Sequence, residues 1–143
     1  MNWTIKTFDQ LTSKEIYEIL RSRAEVFVKE QRISYVDPDG VDYKSWHVFA
    51  TENDKVCAYL RAFKDGDDTI KIGRVLTLIH GKGTGTQLMK YAISELKAKT
   101  ACKKIIMDAQ SHAISFYQRL GFTITSEEYL EEGIPHVDME LTL

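Results

Sequence analysis

Seven consecutive residues, His80-Gly81-Lys82-Gly83-Thr84-Gly85-Thr86, combine the types needed to hold an anion. Three glycines at alternate positions leave the backbone uncovered between an apolar run and an amphipathic helical pattern. At such a junction the first N–H groups of a helix lack intrahelical partners and point, with the positive end of the helix dipole, into the loop. A phosphate or pyrophosphate suits that position, although a tight strand-to-helix turn that binds nothing uses the same glycines. Spacing narrows the choice of ligand. A Walker A loop ends in Gly-Lys-Ser/Thr, and here Lys82 is followed by Gly83. The dinucleotide pattern GxGxxG also fails, because the sixth position counted from Gly83 is Leu88 and from Gly81 is Thr86.

The remaining chemistry-bearing residues are dispersed. His47 and His112 can titrate near neutrality, but the histidines are too scattered for a metal set, and neither HExxH nor paired CxxC is present, so no metal is expected. Cys57 and Cys102 stand alone in apolar surroundings and read as buried free thiols without an adjacent base, which argues against a covalent intermediate. Asp37, Asp39 and Asp42 crowd one segment, and Glu131 and Glu132 lie near the C-terminus. They suit either a cationic partner or a solvated loop. The spacing Asp37-x-Asp39-Gly40-x-Asp42 lacks the ligand ladder and terminal Glu of an EF-hand.

The elements that must position these residues can be read from periodicity. With 143 residues there is room for one domain, spanning 1–143. The balance of 19 basic against 21 acidic side chains suggests no polyanion-binding surface, hence no nucleic acid. Apolar runs such as Ile105 to Met107 are far short of a membrane span. The first residues carry no secretory pattern, so a cytoplasmic location is expected. Trp3 and Ile5 begin a strand; Thr12-Ser13-Lys14-Glu15 fits a capping box and predicts a helix over 12–28. A loop follows from 30 to 44. Strands at 47–51 and 56–63, and a third pattern from Ile70 to Ile79, predict an antiparallel meander, with Gly73 marking a bulge or close approach. A helix over 84–99, a strand over 103–108 and a helix that stops at Gly121 complete an α/β pattern, with closing strands at 122–125 and 137–141.

The order strand, His80-x-x-Gly83-x-Gly85, helix, strand, then Ala113-x-x-Phe116-Tyr117-x-x-x-Gly121-Phe122 resembles the acyl-CoA binding core of the GNAT superfamily of N-acetyltransferases. Arg23-x-x-Val26-Phe27-Val28-x-Glu30-Gln31, Gly73-Arg74-Val75, Ala109-Gln110-x-His112 and Gly133-Ile134-Pro135-His136, with the Asp37 to Asp42 segment, look like its ElaA-like branch. The resemblance covers nearly the whole chain and implies a mixed, mostly antiparallel central sheet flanked by helices. It implies acetyl-CoA as cosubstrate, transfer to an amine by direct attack in a ternary complex, and no membrane partner. A non-catalytic acyl-CoA sensor is the alternative, and family habit allows a homodimer.

By the same resemblance, Val75, Leu76 and Thr77 pair their backbone with the pantetheine arm, and His80, Gly81, Lys82, Gly83, Thr84, Gly85 and Thr86 cradle the pyrophosphate. Gln110 stands where many members have Asn. His80 departs from the family's Arg or Gln, and the connection from Arg74-Val75 to the glycines is short. Tyr117 is the implied acid, with a core aromatic as its alternative. Glu30 and His136 are the candidate bases, against a solvated helix end and a strand-start histidine. A base matters because a lysine-like amine, with a pKa near ~10.4, is mostly protonated at pH 7.

Overall fold

The computed structural model describes residues 1–33 and 36–143; residues 34 and 35, within the expected loop, lie outside it. The first helix starts where its cap places it. Thr12 Oγ1 accepts from the Glu15 N–H at 3.1 Å while Glu15 Oε1 accepts from the Thr12 N–H at 2.8 Å, satisfying two orphan donors of the first turn. The α-helix α1 covers Ser13–Arg23 only. Beyond it the chain widens into a π-helical stretch, Ala24–Glu30, in which the Gln31 N–H donates to the Val26 carbonyl at 2.9 Å. The helix therefore runs about as far as predicted but changes its winding.

Strands β1 (Asn2–Thr7), β2 (Trp46–Glu52), β3 (Lys55–Lys64) and β4 (Thr69–Thr77) form the antiparallel meander that the alternating pattern predicts. Helix α2 (Thr84–Lys99) then leads to β5 (Lys104–Gln110), which runs parallel to β4. Helix α3 (Ile114–Arg119) gives way to Gly121 at φ 100°, the left-handed stop that glycine accepts without strain. Strands β6 (Thr123–Ile124), β7 (Tyr129–Glu131) and β8 (Ile134–Thr142) close the sheet, in the order β1-β2-β3-β4-β5-β8-β6 with β7 on β8. The β7–β8 hairpin was not expected from the sequence: β7 is three residues long, and its partner begins before the predicted residue 137.

Strand alternation divides the core between two faces. Val48, Ala50, Ala58, Leu60 and Ala62 pack with Leu88, Met89, Ala92 and Leu96 of α2, whereas Phe49 and Tyr59 pack with Ile19, Val26 and Phe27 on the α1 side. Burying a side chain such as Leu88 or Leu96 completely contributes about 1.5–3 kcal/mol. Cys57 and Cys102 are buried free thiols. Among the described residues no helix is long and apolar enough to cross a membrane.

One irregularity in the sheet matters most. β4 and β5 pair from Thr69↔Lys104 only to Ile72↔Met107, although β4 continues to Thr77 and β5 to Gln110. At that point β4 also slips against β3: Tyr59 faces Leu76 and Arg61 faces Gly73, leaving Arg74 and Val75 opposite Leu60. Such a bulge adds local twist, which turns β4 away from β5. The sequence marks Gly73 as the bulge residue, but the left-handed conformation falls on its neighbour Arg74, at φ 53°.

Candidate active site

A cavity of about 440 Å³ occupies the wedge where the two strands part. β4 contributes Gly73, Arg74 and Val75, β5 contributes Met107 and Gln110, and Tyr117 and His136 stand in the walls. An ideal Cβ on Gly73 would meet nothing within 4 Å. The backbone of β4 beyond Ile72 is thus left without a β5 partner, and an extended ligand chain can add to such an edge as a strand would.

Tyr117 is 6% exposed and belongs both to the core and to the cavity wall. Burial pushes its phenol above the ordinary range, so it stays protonated through neutral pH, as a proton donor must. The rings of Phe116 and Phe122 meet it edge-on. The core and the acid readings of Tyr117 are therefore compatible.

His136 is equally buried. Its Nδ1 donates to the Ile134 carbonyl at 2.7 Å, since a carbonyl can only accept, which leaves Nε2 as the ring nitrogen available for proton exchange. That Nε2 lies 3.4 Å from the Glu131 carboxylate, and the ring stacks on Tyr129. Glu131 and Glu132 line the cavity from the β7–β8 turn. Across from them, Gln110 Nε2 donates to Gln31 Oε1 at 3.0 Å and its Oε1 accepts from His112 Nε2 at 2.7 Å. His112 orients a neighbour, in keeping with its position just before the helix. Glu30 is exposed at the end of the π-helical stretch and does not line the cavity.

The glycine loop lies beyond the far end of β4, and none of His80, Gly81, Lys82, Gly83, Thr84, Gly85 or Thr86 lines this cavity; neither do Leu76 and Thr77. Leu76 is buried with its side chain in the α1-side core, and its backbone pairs with Tyr59 of β3. Gly83, at φ 71°, is the N-cap of α2 and no side chain caps that end. Cβ atoms on Gly81 or Gly83 would meet nothing within 4 Å, while one on Gly85 would stand 3.4 Å from the Phe116 ring. The first two glycines thus leave an open cradle, and the third lets α2 approach α3.

The acid-rich segment differs from both expectations held for it. Asp37, Asp39 and Asp42 neither await a cation nor hang in solvent, because three arginines from three elements reach them. Arg23 of α1, 0% exposed, donates from Nε to Asp37 Oδ2 at 2.8 Å and from Nη1 to Asp42 Oδ1 at 2.7 Å. Arg61 of β3 grips both oxygens of Asp39 at 2.8 Å. Arg74 of β4 donates from Nε to Asp37 Oδ1 at 2.9 Å. Hydrogen bonds from Arg61 hold the Asp39 carboxyl well below the usual range. Burial pushes Asp42 up, but its bonds to Arg23 and Arg61 outweigh that and hold it down as well. His47, between the Tyr59 hydroxyl at 2.7 Å and the Asp42 carbonyl at 2.9 Å, is pushed down by burial.

The mixed, mostly antiparallel sheet with a glycine turn leading into α2 agrees with what the sequence resemblance implied; the parting of β4 from β5 is added by the structure. The sequence model of the family described as "Acetyltransferase (GNAT) domain" matches residues 9–143. This chain belongs to the GNAT acetyltransferase family. Among GNAT relatives, a UPF0039 protein of Schizosaccharomyces pombe is 35% identical over 100% of this chain and 98% of its own length, and protein ElaA of Escherichia coli is 34% identical over 97% and 95%. Two solved structures superpose with a TM-score of 0.92. One is an acyl-CoA N-acyltransferase from Pseudomonas aeruginosa, 35% identical and covered over 99% of both chains; the other is E. coli ElaA, 33% identical over 98% of both. The GNAT fold and the ElaA-like resemblance hold, and acyl transfer is the general chemistry of this site.

Several lining residues of this GNAT cavity had no assigned role in the site expected from sequence, Gln31, Arg61 and Asp108 among them. Arg61 carried a signal. It interrupts the buried run Val56 to Ala62, and a charge at an inward strand position requires an internal partner. Gln31 stood in a motif of the ElaA-like resemblance, but nothing local announced its pairing with Gln110, 79 positions away.

Proposed function

We propose that this chain is an acetyl-CoA-dependent N-acetyltransferase whose acceptor is an amine, with His136 as general base and Tyr117 as general acid. The observation that carries the reading is that Tyr117 and His136, whose Nε2 is not taken by the Ile134 carbonyl, share the cavity with the β4 backbone that lacks a β5 partner. The residues fit the cosubstrate: the edge from Val75 to Thr77 suits the pantetheine arm, and the open cradle at Gly81, Gly83 and the first turn of α2 suits the pyrophosphate. Acetyl-CoA supplies a thioester carbonyl and a thiol leaving group.

The chain's own residues manage the protons. At pH 7 a lysine-like amine is neutral in about one molecule in a few thousand, a deficit of roughly 4–5 kcal/mol. His136 Nε2 takes the proton that the amine loses as the new C–N bond forms, and Glu131 pairs with the imidazolium. Tyr117 gives its phenolic proton to the departing sulfur as the C–S bond breaks. Because a thiol titrates near ~8.5, that donation is the smaller contribution. Glu131 and Glu132 at the mouth suit an acceptor that arrives as a cation.

The test is thiol release from acetyl-CoA with polyamines, amino acids and lysine peptides as acceptors. Transfer to at least one amine is expected. His136→Gln should lower kcat by about a hundredfold or more and Tyr117→Phe by less, with acetyl-CoA affinity kept in both. Saturable CoA binding without transfer to any amine would instead make the chain an acyl-CoA sensor.

A further inference from the structure

The bulge that opens the cavity rests on a residue poorly suited to it. Arg74 holds φ 53°, a left-handed conformation in which a Cβ crowds the following carbonyl and which arginine, unlike glycine, avoids. Its side chain is tied down in compensation. Nε donates to Asp37 Oδ1 at 2.9 Å, and Nη2 to the Asp37 carbonyl at 3.2 Å and to Asp39 Oδ2 at 3.4 Å. Asp37 is itself anchored: Arg23, fully buried on α1, donates from Nε to Asp37 Oδ2 at 2.8 Å and from Nη2 to its carbonyl at 2.9 Å. One carboxylate thus bridges the first helix to the strand, each oxygen taken by a different arginine. The last β4–β5 pair is Ile72↔Met107, two residues before the tethered one.

We propose that the Arg23–Asp37–Arg74 bridge is a positioning device: it ties down the Arg74 side chain at the cavity wall, holds the β4 bulge, and so sets the backbone of Gly73 to Val75 and the splay of β4 from β5 against which acyl-CoA lies. Arg74 acts through its backbone conformation and Asp37 through Arg74. The inference rests on the acyl-CoA reading above and deepens it.

Substitutions at position 74 separate the backbone from the charge. Arg74→Ala loses the tether and keeps a Cβ; the bulge relaxes, and CoA affinity measured by calorimetry should fall about tenfold, the equivalent of the left-handed strain. Arg74→Gly loses the same charge and tether but accepts φ 53° freely, and should recover a large part of that loss. Asp37→Asn should weaken CoA binding as Arg74→Ala does, and adding Arg74→Gly to it should restore binding in part. Thermal melts of each variant identify any that fails to fold, and the Ala-to-Gly comparison at position 74 stands without the Asp37 variant. Equal losses in Arg74→Ala and Arg74→Gly would overturn the bridge as a backbone device, as would full retention in both. A wild-type chain that binds no CoA overturns both this inference and the function on which it rests; one that binds CoA with the two variants alike overturns the bridge alone.

Discussion

Two segments of this chain carry clustered carboxylates, and the fold gives them opposite roles. Asp37, Asp39 and Asp42 meet Arg23, Arg61 and Arg74, with Asp37 and two of the arginines at least nine-tenths buried. Glu131, at the end of β7, and Glu132, in the turn that follows, are exposed; Glu131 contacts only His136 among the ion pairs formed by the described residues. In sequence the two groups look alike. The difference is whether a cation from a distant element reaches them before a ligand does. The first group therefore builds the cleft, and the second is left to face what enters it.

The largest test of that contrast is Arg23→Met. Removing one partner of a buried pair leaves the other uncompensated and costs about 3–5 kcal/mol, a large part of an ordinary domain's stability. The urea midpoint should fall accordingly. A loss under about 1 kcal/mol would show that the aspartates are solvated after all and would erase the distinction. Acid comes next in size. His47 has a folded pKa lowered by burial, so the unfolded chain binds its proton first and stability declines as pH drops below about 6.5. Asp39 and Asp42 also have lowered folded pKa values. Their stabilisation is complete above about pH 4 and is lost as pH falls through the folded values. Urea midpoints measured from pH 7 to pH 3 should fall throughout, and His47→Gln should flatten the upper part. A midpoint indifferent to pH would remove the network from the stability account.

How far the sequence reveals these roles depends on the range of the interaction. The Thr12 cap, the α2 start at Gly83 and the Gly121 stop were legible because each is decided within a few residues. The glycine turn before α2 and the place of Tyr117 on α3 were legible through the pattern around them. The β7–β8 hairpin was not, since β7 is three residues long and owes its pairing to β8. Nor was the pairing of Arg23 with Asp42, 19 positions apart, or of Arg74 with Asp37, 37 apart; nothing local tells a carboxylate that will be neutralised from one that will not. The same gap hid which residue of the bulge takes the left-handed position. Gly73 has the residue type that bulges favour, but Arg74 takes the left-handed position because a distant aspartate secures its side chain.

The smallest effect sharpens the comparison most, because it falls on the other segment. Glu131→Gln with Glu132→Gln removes two exposed charges, and surface changes of this kind shift stability by no more than about 0.5 kcal/mol. Turnover should respond instead through the loss of the Glu131 partner of His136, and so should the acceptor. A unit charge about 4 Å from an ammonium in water is worth about 1 kcal/mol, so KM for a cationic amine should rise about fivefold for each carboxylate that it approaches, with the effect shrinking as salt is raised. KM for acetyl-CoA, whose proposed cradle is the glycine loop beyond the far end of β4, should stay put. If the double variant melted early, or if its KM rose equally for acetyl-CoA, these glutamates would belong with the aspartates as structural charge. If only turnover and the cationic acceptor are affected, the two segments divide the work: one sets the shape of the cleft and the other its polarity.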